Sequence, residues 1–579
     1  MADLNNVTIS DDSEVVELFF SCRSLADKDF MSKSDPVLYL KKCVSGNQYA
    51  EVGRTEVVKN DLNPDFATSF RVEFVFETRQ KFRVEVVDVD NFKDLSGDYI
   101  GGAEFELADV VGSMHNMKIL RLTNDKEKET GKCIVRLDKV GDEIQKKIQM
   151  KLSVLDVPKT SFFSGHNSFI RVYKMRLSDE LMNKVKEGDV KYESLPVNEW
   201  LLVYKSQPVK GKDISLPPIC MKGSKLCNNN FDVPLKIELW KYKSSGSHRF
   251  LGQLFLTVND LIARLYEHRF QPNKGLTVAT LMVDDFKLED VYEFVDYLRG
   301  GLNMTLVVGI DFTASNRDPT DPQSLHYINP PHLNLYQQSI LSVGEILQKY
   351  NHAQQIPAYG FGAKVGQPPT ISHFFPLNFN PNDPCVSNFG DLFKLYHSAC
   401  QDIIFSGPTY FAPIFQQVLD FTNRRFEMDP NNYTVFLLLT DGIVNDMQMT
   451  IDQIVKGCHL PLSIIIIGIG NEDFTKMEVL DADDVPLVSS WGEQMRRDIV
   501  QFVPFNKFKN NPLVLREEVL DELPRQVTSF YNMKGIRPKE FKPIDPAQFN
   551  LARGNTQVDT QQYQGLFIDT TPANYPTLE

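Results

Sequence analysis

The stretch Met304-Thr305-Leu306-Val307-Val308-Gly309-Ile310-Asp311-Phe312-Thr313-Ala314-Ser315-Asn316 decides the fold of the second half of the chain. It begins as an almost uninterrupted apolar run, and polar residues set in abruptly at Asp311. Similar apolar runs occur at 434–439 and 462–467, between longer segments of helical periodicity. Strands that are apolar on both faces, separated by helices, are typical of a parallel sheet covered by helices. The sequence from about Leu302 onward therefore predicts an α/β doubly wound domain.

The first half of the chain has a different pattern. Short alternating or mostly apolar runs are bounded by Asp, Asn, Gly and Pro, which is typical of antiparallel β-sandwiches. This layout occurs twice. The predicted strands are 15–21, 37–41, 71–76 and 81–87 in the first copy, and 151–154, 169–174, 200–204 and 235–240 in the second.

The predicted architecture is multidomain, with two antiparallel β-sandwiches followed by the α/β domain. We place the first sandwich at 1–132, the second at 133–275 and the α/β domain at 276–540. The remaining residues, 541–579, are rich in Gln, Thr, Asn and Pro and lack apolar periodicity, so we predict a flexible tail.

The net charge is distributed unevenly along the 579 residues. The formal charge is −14 overall, but it is −8 for residues 1–132, +9 for 133–275 and −15 for 276–579. An acidic protein of ordinary globular composition is not expected to bind nucleic acid. The basic middle segment is the exception and calls for its own explanation.

Several features of the sequence predict a cytosolic protein. The longest apolar runs are short enough to be buried strands, and the N-terminus has neither the basic nor the apolar region of a signal peptide. Eight cysteines without a CxxC pair suggest reduced thiols rather than disulfides or a zinc site.

Two loops of the first sandwich are rich in carboxylates. They contain Asp29 and Asp35 in one loop, and Asp88, Asp90 and Asp98 in the other. If both loops meet at one end of the sandwich, these carboxylates repel one another unless cations bind. Calcium, which accepts about six to eight oxygen ligands in a flexible geometry, suits such a set. The alternative is that the aspartates only shape ordinary turns.

Apolar side chains lie beside the predicted calcium ligands. Phe30 and Met31 occupy the tip of the first loop, and Phe92 and Leu95 the tip of the second. Each would contribute about 1.5 to 3 kcal/mol if fully buried in lipid. The loops are therefore predicted to insert into anionic phospholipid membranes when calcium binds.

The first sandwich resembles a C2 domain over most of residues 10–130. The resemblance rests on the triplet Ser34-Asp35-Pro36, on the turn Asn63-Pro64, and on the segment from Asp88 to Gly101, which has the pattern D-x-D…D-Y-I-G. It implies that the five aspartates named above are calcium ligands.

The second sandwich has the opposite charge at the corresponding positions. Aligned by eye, the five aspartates correspond to Ser161, Asn167, Lys241, Lys243 and Arg249. Three cations cannot hold calcium by the same chemistry. We predict instead that they attract anionic headgroups, at about 1 kcal/mol per basic residue near the surface, with Phe162 and Phe163 at the tip. The alternative is a lost calcium site whose lysines are merely solvated.

A second metal site is predicted on the α/β domain. Its candidate ligands follow apolar strands or precede a helix, and they are Asp311, Thr313, Ser315, Thr409 and Asp441. Carboxylates and hydroxyls at the carboxyl ends of parallel strands occupy the crevice where such sheets bind ligands. These oxygens favour Mg²⁺ or Mn²⁺. The alternative is a cluster that caps helix N-termini.

This set is similar to the metal-ion-dependent adhesion site of von Willebrand factor A-type domains. The resemblance implies a binding module in which a carboxylate of a partner protein completes the metal shell. Thr313 stands where the general pattern has Ser, which keeps the ligand oxygen.

The whole chain resembles the copine family. Besides the domain order, the resemblance rests on the strings 311–316, 324–327, 359–363 and 407–413. It implies a cytoplasmic protein that moves to the inner face of the plasma membrane, or to other cytosolic membrane surfaces, when calcium rises. It also implies that the A-type domain recruits other proteins.

No catalytic motif is recognisable in the sequence. It contains no Walker loop, G-x-S-x-G or H-E-x-x-H motif, so neither an enzyme nor a small-molecule substrate is expected. Two alternatives stay open: a constitutive scaffold whose first metal site is structural, and, with less support, a metal-dependent hydrolase that uses Asp311 and Asp441.

Overall fold

The computed structural model describes residues 14–28, 33–91, 93, 95–113, 115–139, 145–158, 167–175, 195–196, 199–243, 248–273, 275–330, 332–442, 444–481, 485–508 and 511–540. The chain divides into two compact units. One contains residues 1–141 together with 293–579, and the other contains 142–292. The predicted tail at 541–579 lies outside the described residues. No helix within the described ranges is long and apolar enough to cross a membrane.

The first sandwich is a folded antiparallel ladder. Its strands, in chain order, are Glu14–Arg23, Pro36–Ser45, Gln48–Arg54, Phe70–Phe74, Lys81–Asn91, Ser96–Glu106, Met117–Thr123 and Glu129–Lys139, and a helical turn spans Leu107–Val111. The ladder continues from Ser96–Glu106 to Met117–Thr123 through one paired position, so it bends there into two layers. Strand Phe70–Phe74 alternates strictly between buried and exposed residues, as expected for a strand with one face on the core.

The two ends of this sandwich are distinct. Strand Lys81–Asn91 runs from one end to the other and Ser96–Glu106 returns antiparallel to it. The acidic segment that joins them therefore lies at one end, with the loop that follows Arg23. Residues 75–80, Glu106 and Glu14 lie at the opposite end.

The α/β domain is built on a parallel sheet. The parallel strands, in spatial order, are Ile356–Phe361, Asn303–Asp311, Asn432–Thr440, Leu462–Gly468 and Val500–Pro504. Every residue of Leu462–Gly468 is buried, and so is nearly every residue of the neighbouring central strands, which explains their unbroken apolar sequences. The predicted strands 304–310, 434–439 and 462–467 lie inside these elements.

Helices flank this sheet. Their bounds are Phe294–Arg299, Leu335–Leu347, Phe389–Asp402, Ala412–Met428, Met447–Gly457, Thr475–Asp481, Pro512–Leu520 and Leu523–Lys534. Short strands at 375–376 and 385–386 pair with Ile356–Phe361. A separate small sheet consists of Ala363–Val365, Thr370–Ser372 and Ile404–Phe405. The predicted α/β architecture is thus observed.

The second unit contains two antiparallel sheets around a common apolar core. One sheet contains Trp200–Lys205, Val209–Lys210, Asn167–Met175, Leu235–Lys241, Arg249–Leu256 and Gln271–Pro272. The other contains Ile214–Ser215, Ile219–Lys222, Gln145–Leu155, Thr280–Val291 and Glu267–Arg269. Helical turns occur at Gly223–Cys227 and Val258–Ile262. The unit is a β-sandwich, as predicted.

The boundaries of the observed units differ from the predicted domain boundaries. Strand Glu129–Lys139 crosses the predicted boundary at 132/133 but pairs with Glu14–Arg23, so it belongs to the first sandwich. Strand Thr280–Val291 lies beyond the predicted boundary at 275/276 but pairs with Gln145–Leu155 of the second. Each strand also pairs with a nearby strand of the same sandwich, Met117–Thr123 in the first case and Glu267–Arg269 in the second, and local composition does not reveal either pairing.

Candidate functional site

The acidic end of the first sandwich brings carboxylates of different strands together. Asp88 and Asp98 lie directly opposite each other on paired strands. Side chains in such a position have Cβ atoms about 4.5 to 5.5 Å apart, where like charges are unfavourable. Asp88 is buried, with a relative exposure of 2%, whereas Asp98 and Asp90 are exposed. The site therefore has a buried base and an open, acidic rim.

Asp35 connects the other loop to this pair. Its backbone N–H donates to Asp88 Oδ1 over 2.6 Å, and its own Oδ1 accepts a hydrogen bond from the Asn60 N–H over 2.7 Å. The neighbouring Pro36 lies opposite Asp88. The two acidic loops thus meet, which is the condition for a calcium site there, and the contact between them runs through Asp88.

Only part of the predicted membrane-binding tip can be placed. Leu95 is partly buried, has a positive φ of 56° and donates its N–H to the Asn91 carbonyl. Asp29, Phe30, Met31 and Phe92 lie outside the described residues. Among the residues that are described, no three His, Cys, Asp or Glu side chains form a group that could hold a metal ion. Asp35, Asp88, Asp90 and Asp98 are therefore consistent with part of a calcium cage and do not form a complete one.

The second sandwich repeats this arrangement with cations. Lys241 lies directly opposite Arg249, as Asp88 lies opposite Asp98. Asn167 occupies the start of the adjacent strand, and its carbonyl accepts a hydrogen bond from the Tyr242 N–H. Ser161, Phe162 and Phe163 lie outside the described residues.

The cations at this end differ in their exposure. Lys241 is buried, with 7% relative exposure, while Lys243 and Arg249 are exposed. Burial lowers the pKa of Lys241, and the positive charges of Arg249 and Lys243 lower it further. The local field is thus strongly positive, and it favours anions at the exposed rim.

The predicted metal ligands of the α/β domain gather at one edge of the parallel sheet. Asp311 ends one strand and Asp441 directly follows the neighbouring one. Asn303–Asp311 lies between Ile356–Phe361 and Asn432–Thr440, so the order of the strands reverses at this point. Ligands of open α/β sheets bind at such switch points, outside the carboxyl ends of the strands.

Three oxygen atoms at this edge lie close to one another. The Thr313 and Ser315 hydroxyl oxygens are 2.9 Å apart, and the Asp441 Oδ1 lies 3.0 Å from the Ser315 hydroxyl and 3.5 Å from that of Thr313. Neighbouring oxygens around an octahedral Mg²⁺, each about 2.1 Å from the ion, are about 3.0 Å apart. The three oxygens thus fit one face of such an octahedron.

Thr409 and Asp311 complete the predicted set. A Cβ atom placed on Gly442 would lie 3.6 Å from the Thr409 Oγ1 and 3.8 Å from the Ser315 Oγ, so both hydroxyls face the space beside this glycine. Asp311 is fully buried, and its carboxylate accepts hydrogen bonds from the Thr313 N–H and the Thr440 hydroxyl. The structure therefore brings all five predicted ligands to one place.

The electrostatics of this site favour a cation. Burial raises the pKa of Asp441 to about 7, and the charge of the nearby Asp311 contributes to the rise. Burial also raises the pKa of Asp311, although hydrogen bonds from Thr313 and Thr440 act in the opposite direction. Two buried carboxylates this close repel each other when both are ionised, and a divalent cation removes that penalty. The donor set fits Mg²⁺ or Mn²⁺.

A buried histidine, His326, lies next to the backbone of this site. The ring nitrogens of His326 lie 2.8 Å from the Asp311 carbonyl and 2.7 Å from the Tyr396 hydroxyl. Its ring stacks on Tyr336 with a centroid distance of 4.1 Å. Burial lowers its pKa to about 3, so it is neutral. His326 supports the backbone of Asp311, and a lone histidine 15 residues further along the chain gives no sequence signal of this.

Known protein families match two parts of the chain. A family model described as C2 domain matches residues 16–122, and one described as Copine matches residues 324–539. The first match identifies the first sandwich as a C2 domain. C2 domains bind phospholipid membranes and commonly bind Ca²⁺, and both families consist of binding or adaptor domains.

Solved structures also resemble parts of the chain. The C2A and C2B domains of extended synaptotagmin 2 with calcium bound are 15% identical and cover 48% of this chain and 99% of their own, with a TM-score of 0.20. The C2A domain of a plant extended synaptotagmin 1 is 20% identical and covers 22% of this chain and 97% of its own, with a TM-score of 0.19. TM-scores this low support no conclusion about this chain.

The two family matches support a calcium- and phospholipid-binding, membrane-associated protein. A C2 domain at 16–122 followed by a Copine domain at 324–539 is consistent with the domain architecture of the copine family.

Proposed function

We propose that the protein is a calcium-dependent peripheral membrane protein that recruits partner proteins through its A-type domain. In this proposal the first C2 domain binds calcium through Asp29, Asp35, Asp88, Asp90 and Asp98 and then binds anionic phospholipid. The second sandwich is a C2-like domain that does not need calcium. The protein moves from the cytoplasm to the inner face of the plasma membrane, or to other cytosolic membrane surfaces, when calcium rises.

One observation carries the calcium part of the proposal. Asp88 and Asp98 face each other across paired strands, and the loop at Asp35 contacts Asp88 directly. Without a cation this cluster repels an anionic membrane, and bound calcium would reverse the sign of the local field. Apolar residues next to the cluster, of which Leu95 is the described one, would then enter the lipid.

The second sandwich would add affinity by electrostatics alone. Its Lys241, Lys243 and Arg249 stand at the end that corresponds to the calcium cage of the first. Two weak membrane contacts on one chain act at a high effective concentration, so their joint affinity can exceed either one by orders of magnitude. In this arrangement calcium controls the binding of the first domain, and the constant electrostatic contact of the second sandwich raises the affinity of the whole chain for the membrane.

The A-type domain would bind a partner through its metal site. Asp311, Thr313, Ser315, Thr409 and Asp441 would hold Mg²⁺ or Mn²⁺, which supplies an open coordination position for a carboxylate of the partner. Ser315 is the exposed member of the set, and Asp311 is fully buried. The site is therefore open on the side of Ser315, where a partner can approach.

Co-sedimentation of the full-length protein with phosphatidylserine vesicles tests the membrane part. We expect little binding in chelator at high salt and a steep increase at micromolar calcium, the range typical of calcium sensors. A flat response to calcium would contradict the proposal and favour a constitutive scaffold.

Thermal unfolding with and without Mn²⁺ tests the metal site of the A-type domain. A ligand that binds only the folded state raises the midpoint of unfolding. We expect Mn²⁺ to raise it in the wild type and not in the Asp441→Ala variant, whereas Asp420→Ala, which removes an exposed carboxylate of the same domain, should respond like the wild type. Equal responses of all three proteins would refute the assignment of the ligands.

A further inference from the structure

The end of the first C2 domain that lies away from its acidic loops packs directly on the A-type domain. Phe76 contacts Phe294 and Tyr350, each with a centroid distance of 5.0 Å. All three rings are buried, and Tyr350 is completely inaccessible. Aromatic rings at these distances stabilise one another beyond their burial from water. The centre of this joint is therefore an apolar core shared by the two domains.

Ion pairs surround the aromatic core. Arg79 of the C2 domain lies between Glu106 of its own domain and Glu345 of the A-type domain, at 3.3 Å from the latter. Lys349 of the A-type domain reaches back to Asp109 at 2.7 Å. Burial alone would raise the pKa of Glu106, but Arg79 and Lys349 outweigh it and lower this pKa. The pairs thus form a network that crosses the joint in both directions.

The backbones also approach closely. A Cβ atom placed on Gly112 would lie 2.3 Å from the Lys349 carbonyl oxygen, so a larger residue does not fit there. The carbonyl of Gly112 is 2.8 Å from the His352 Nε2. Arg299 and Asp138 form a further ion pair between the two domains. Such close backbone contacts and ion pairs require one fixed orientation of the C2 domain relative to the A-type domain.

The joint occupies the ends of both domains that are remote from their predicted binding sites. In the C2 domain, strand Lys81–Asn91 leads from the joint to the acidic loops, a length of about 33 Å at about 3.3 Å per residue. In the A-type domain, Asn303–Asp311 leads from the end next to His352 to the metal ligands, a length of about 26 Å at the same rise. The path from one site to the other thus runs along two strands and through the joint.

From this we infer that the first C2 domain and the A-type domain act as one rigid body that carries the acidic loops and the metal site at opposite ends. The inference rests on the proposed function. It specifies in addition which way the metal site faces when the protein is bound to a membrane. When the acidic loops bind a membrane, the joint holds the metal face away from the lipid, by up to about 60 Å for two collinear strand lengths. The partner of the metal site is then a protein that approaches from the aqueous side and not one embedded in the same membrane.

Energy transfer from protein to lipid tests this direction. A fluorophore is placed by a non-natural amino acid either at Glu127, an exposed turn residue at the acidic end, or at Ile404, an exposed residue of the small sheet beside the metal site. The full-length protein is bound in calcium to phosphatidylserine vesicles that contain an acceptor lipid. We expect strong transfer from Glu127 and little from Ile404. Equal transfer from both positions would overturn the inference.

Charge reversal tests the role of the joint. Arg79→Glu combined with Lys349→Glu breaks the pairs across the joint and leaves the predicted ligands untouched. Transfer from Ile404 should rise in this variant, because the A-type domain can then approach the lipid, while transfer from Glu127 stays the same. Lys394→Glu, which reverses an exposed lysine of the A-type domain outside the joint, is the control. Unchanged transfer from Ile404 in the double variant would show that the joint does not hold the domain.

A measurement without membrane separates this inference from the proposed function. With donor and acceptor at Glu127 and Ile404 of one molecule in solution, the wild type should give one narrow, long distance and the double variant a broad distribution. A broad distribution in the wild type would refute the rigid body. Failure to bind vesicles together with a narrow distance would refute the membrane function and leave the rigid body intact.

Discussion

The two sandwiches carry opposite charges at corresponding positions of their paired strands. In the first, Asp88 lies opposite Asp98 near one end of the paired strands, and in the second Lys241 lies opposite Arg249 at the end of the pair. The buried member is Asp88 in one and Lys241 in the other, and the exposed member is Asp98 or Arg249. The same frame thus presents either a cluster of carboxylates or a cluster of cations. The difference suggests that one domain responds to calcium and the other does not.

The largest expected effect comes from removing the acidic cluster. Asp88→Asn combined with Asp90→Asn should reduce binding to phosphatidylserine vesicles in calcium to the level seen in chelator, because two predicted ligands lose their charge. Co-sedimentation across a calcium series measures this. Asp125→Asn, in an exposed turn at the same end, should behave like the wild type. Calcium-dependent binding that survives in the double variant would contradict the ligand assignment.

The converse change should give the exposed rim of the first domain the positive charge of the second. Asp90→Lys with Asp98→Arg keeps the Asp88 carboxylate that holds the Asp35 loop and gives the rim the charges found in the second sandwich. We expect binding in chelator at low salt, with about 1 kcal/mol gained per basic residue near the surface. Glu51→Lys with Glu73→Arg makes the same charge change at exposed positions elsewhere on the domain. If both double variants gain the same affinity for vesicles in chelator, the net charge of the domain would be responsible, and not the position of the new cations at the acidic end.

A smaller effect is expected in the second sandwich. Lys243→Ala with Arg249→Ala removes its two exposed apical cations, and at about 1 kcal/mol each this weakens binding in chelator by about 30-fold at low salt. The loss should shrink as salt is added, because exposed charges are screened. Vesicle titrations at several salt concentrations measure it, with the exposed Lys287→Ala as control. No change at low salt would mean that these cations are only solvated.

The smallest effect concerns the apolar tip of the first domain. Leu95→Asp should weaken calcium-dependent binding by about tenfold or more, since the loss of a buried leucine costs about 1.5 kcal/mol or more. Leu95 has a left-handed backbone, which aspartate tolerates, so the fold should persist. Val44→Asp places the same side chain at an exposed valine away from the acidic end. Equal binding of both variants would exclude insertion of Leu95.

Much of the fold follows from the sequence. The apolar runs around Leu306, Leu437 and Ile465 predict buried parallel strands, and these strands form the centre of the sheet. The D-x-T-x-S segment after the first of them predicts a site at the strand ends, and its oxygens lie there together with those of Thr409 and Asp441. Local pattern suffices in these cases because strand burial and chain direction fix where a strand ends.

Other features could not be predicted because they depend on partners remote in sequence. Strand Glu129–Lys139 completes the first sandwich through its pairing with the first strand of the chain. His326 supports Asp311 through a backbone carbonyl, and Thr440 holds the carboxylate of the same residue. The sequence around His326 and Thr440 does not indicate that either residue contacts Asp311.

The sequence by itself determined the two kinds of fold, the positions of the charged clusters and their opposite signs, because strand periodicity and side-chain charge are local properties. Only the tertiary structure decided which charges face each other, as Asp88 and Asp98 do, and that the far end of the first C2 domain packs on the A-type domain. Register and domain contacts result from shape and charge complementarity between distant segments, and no single segment contains that information.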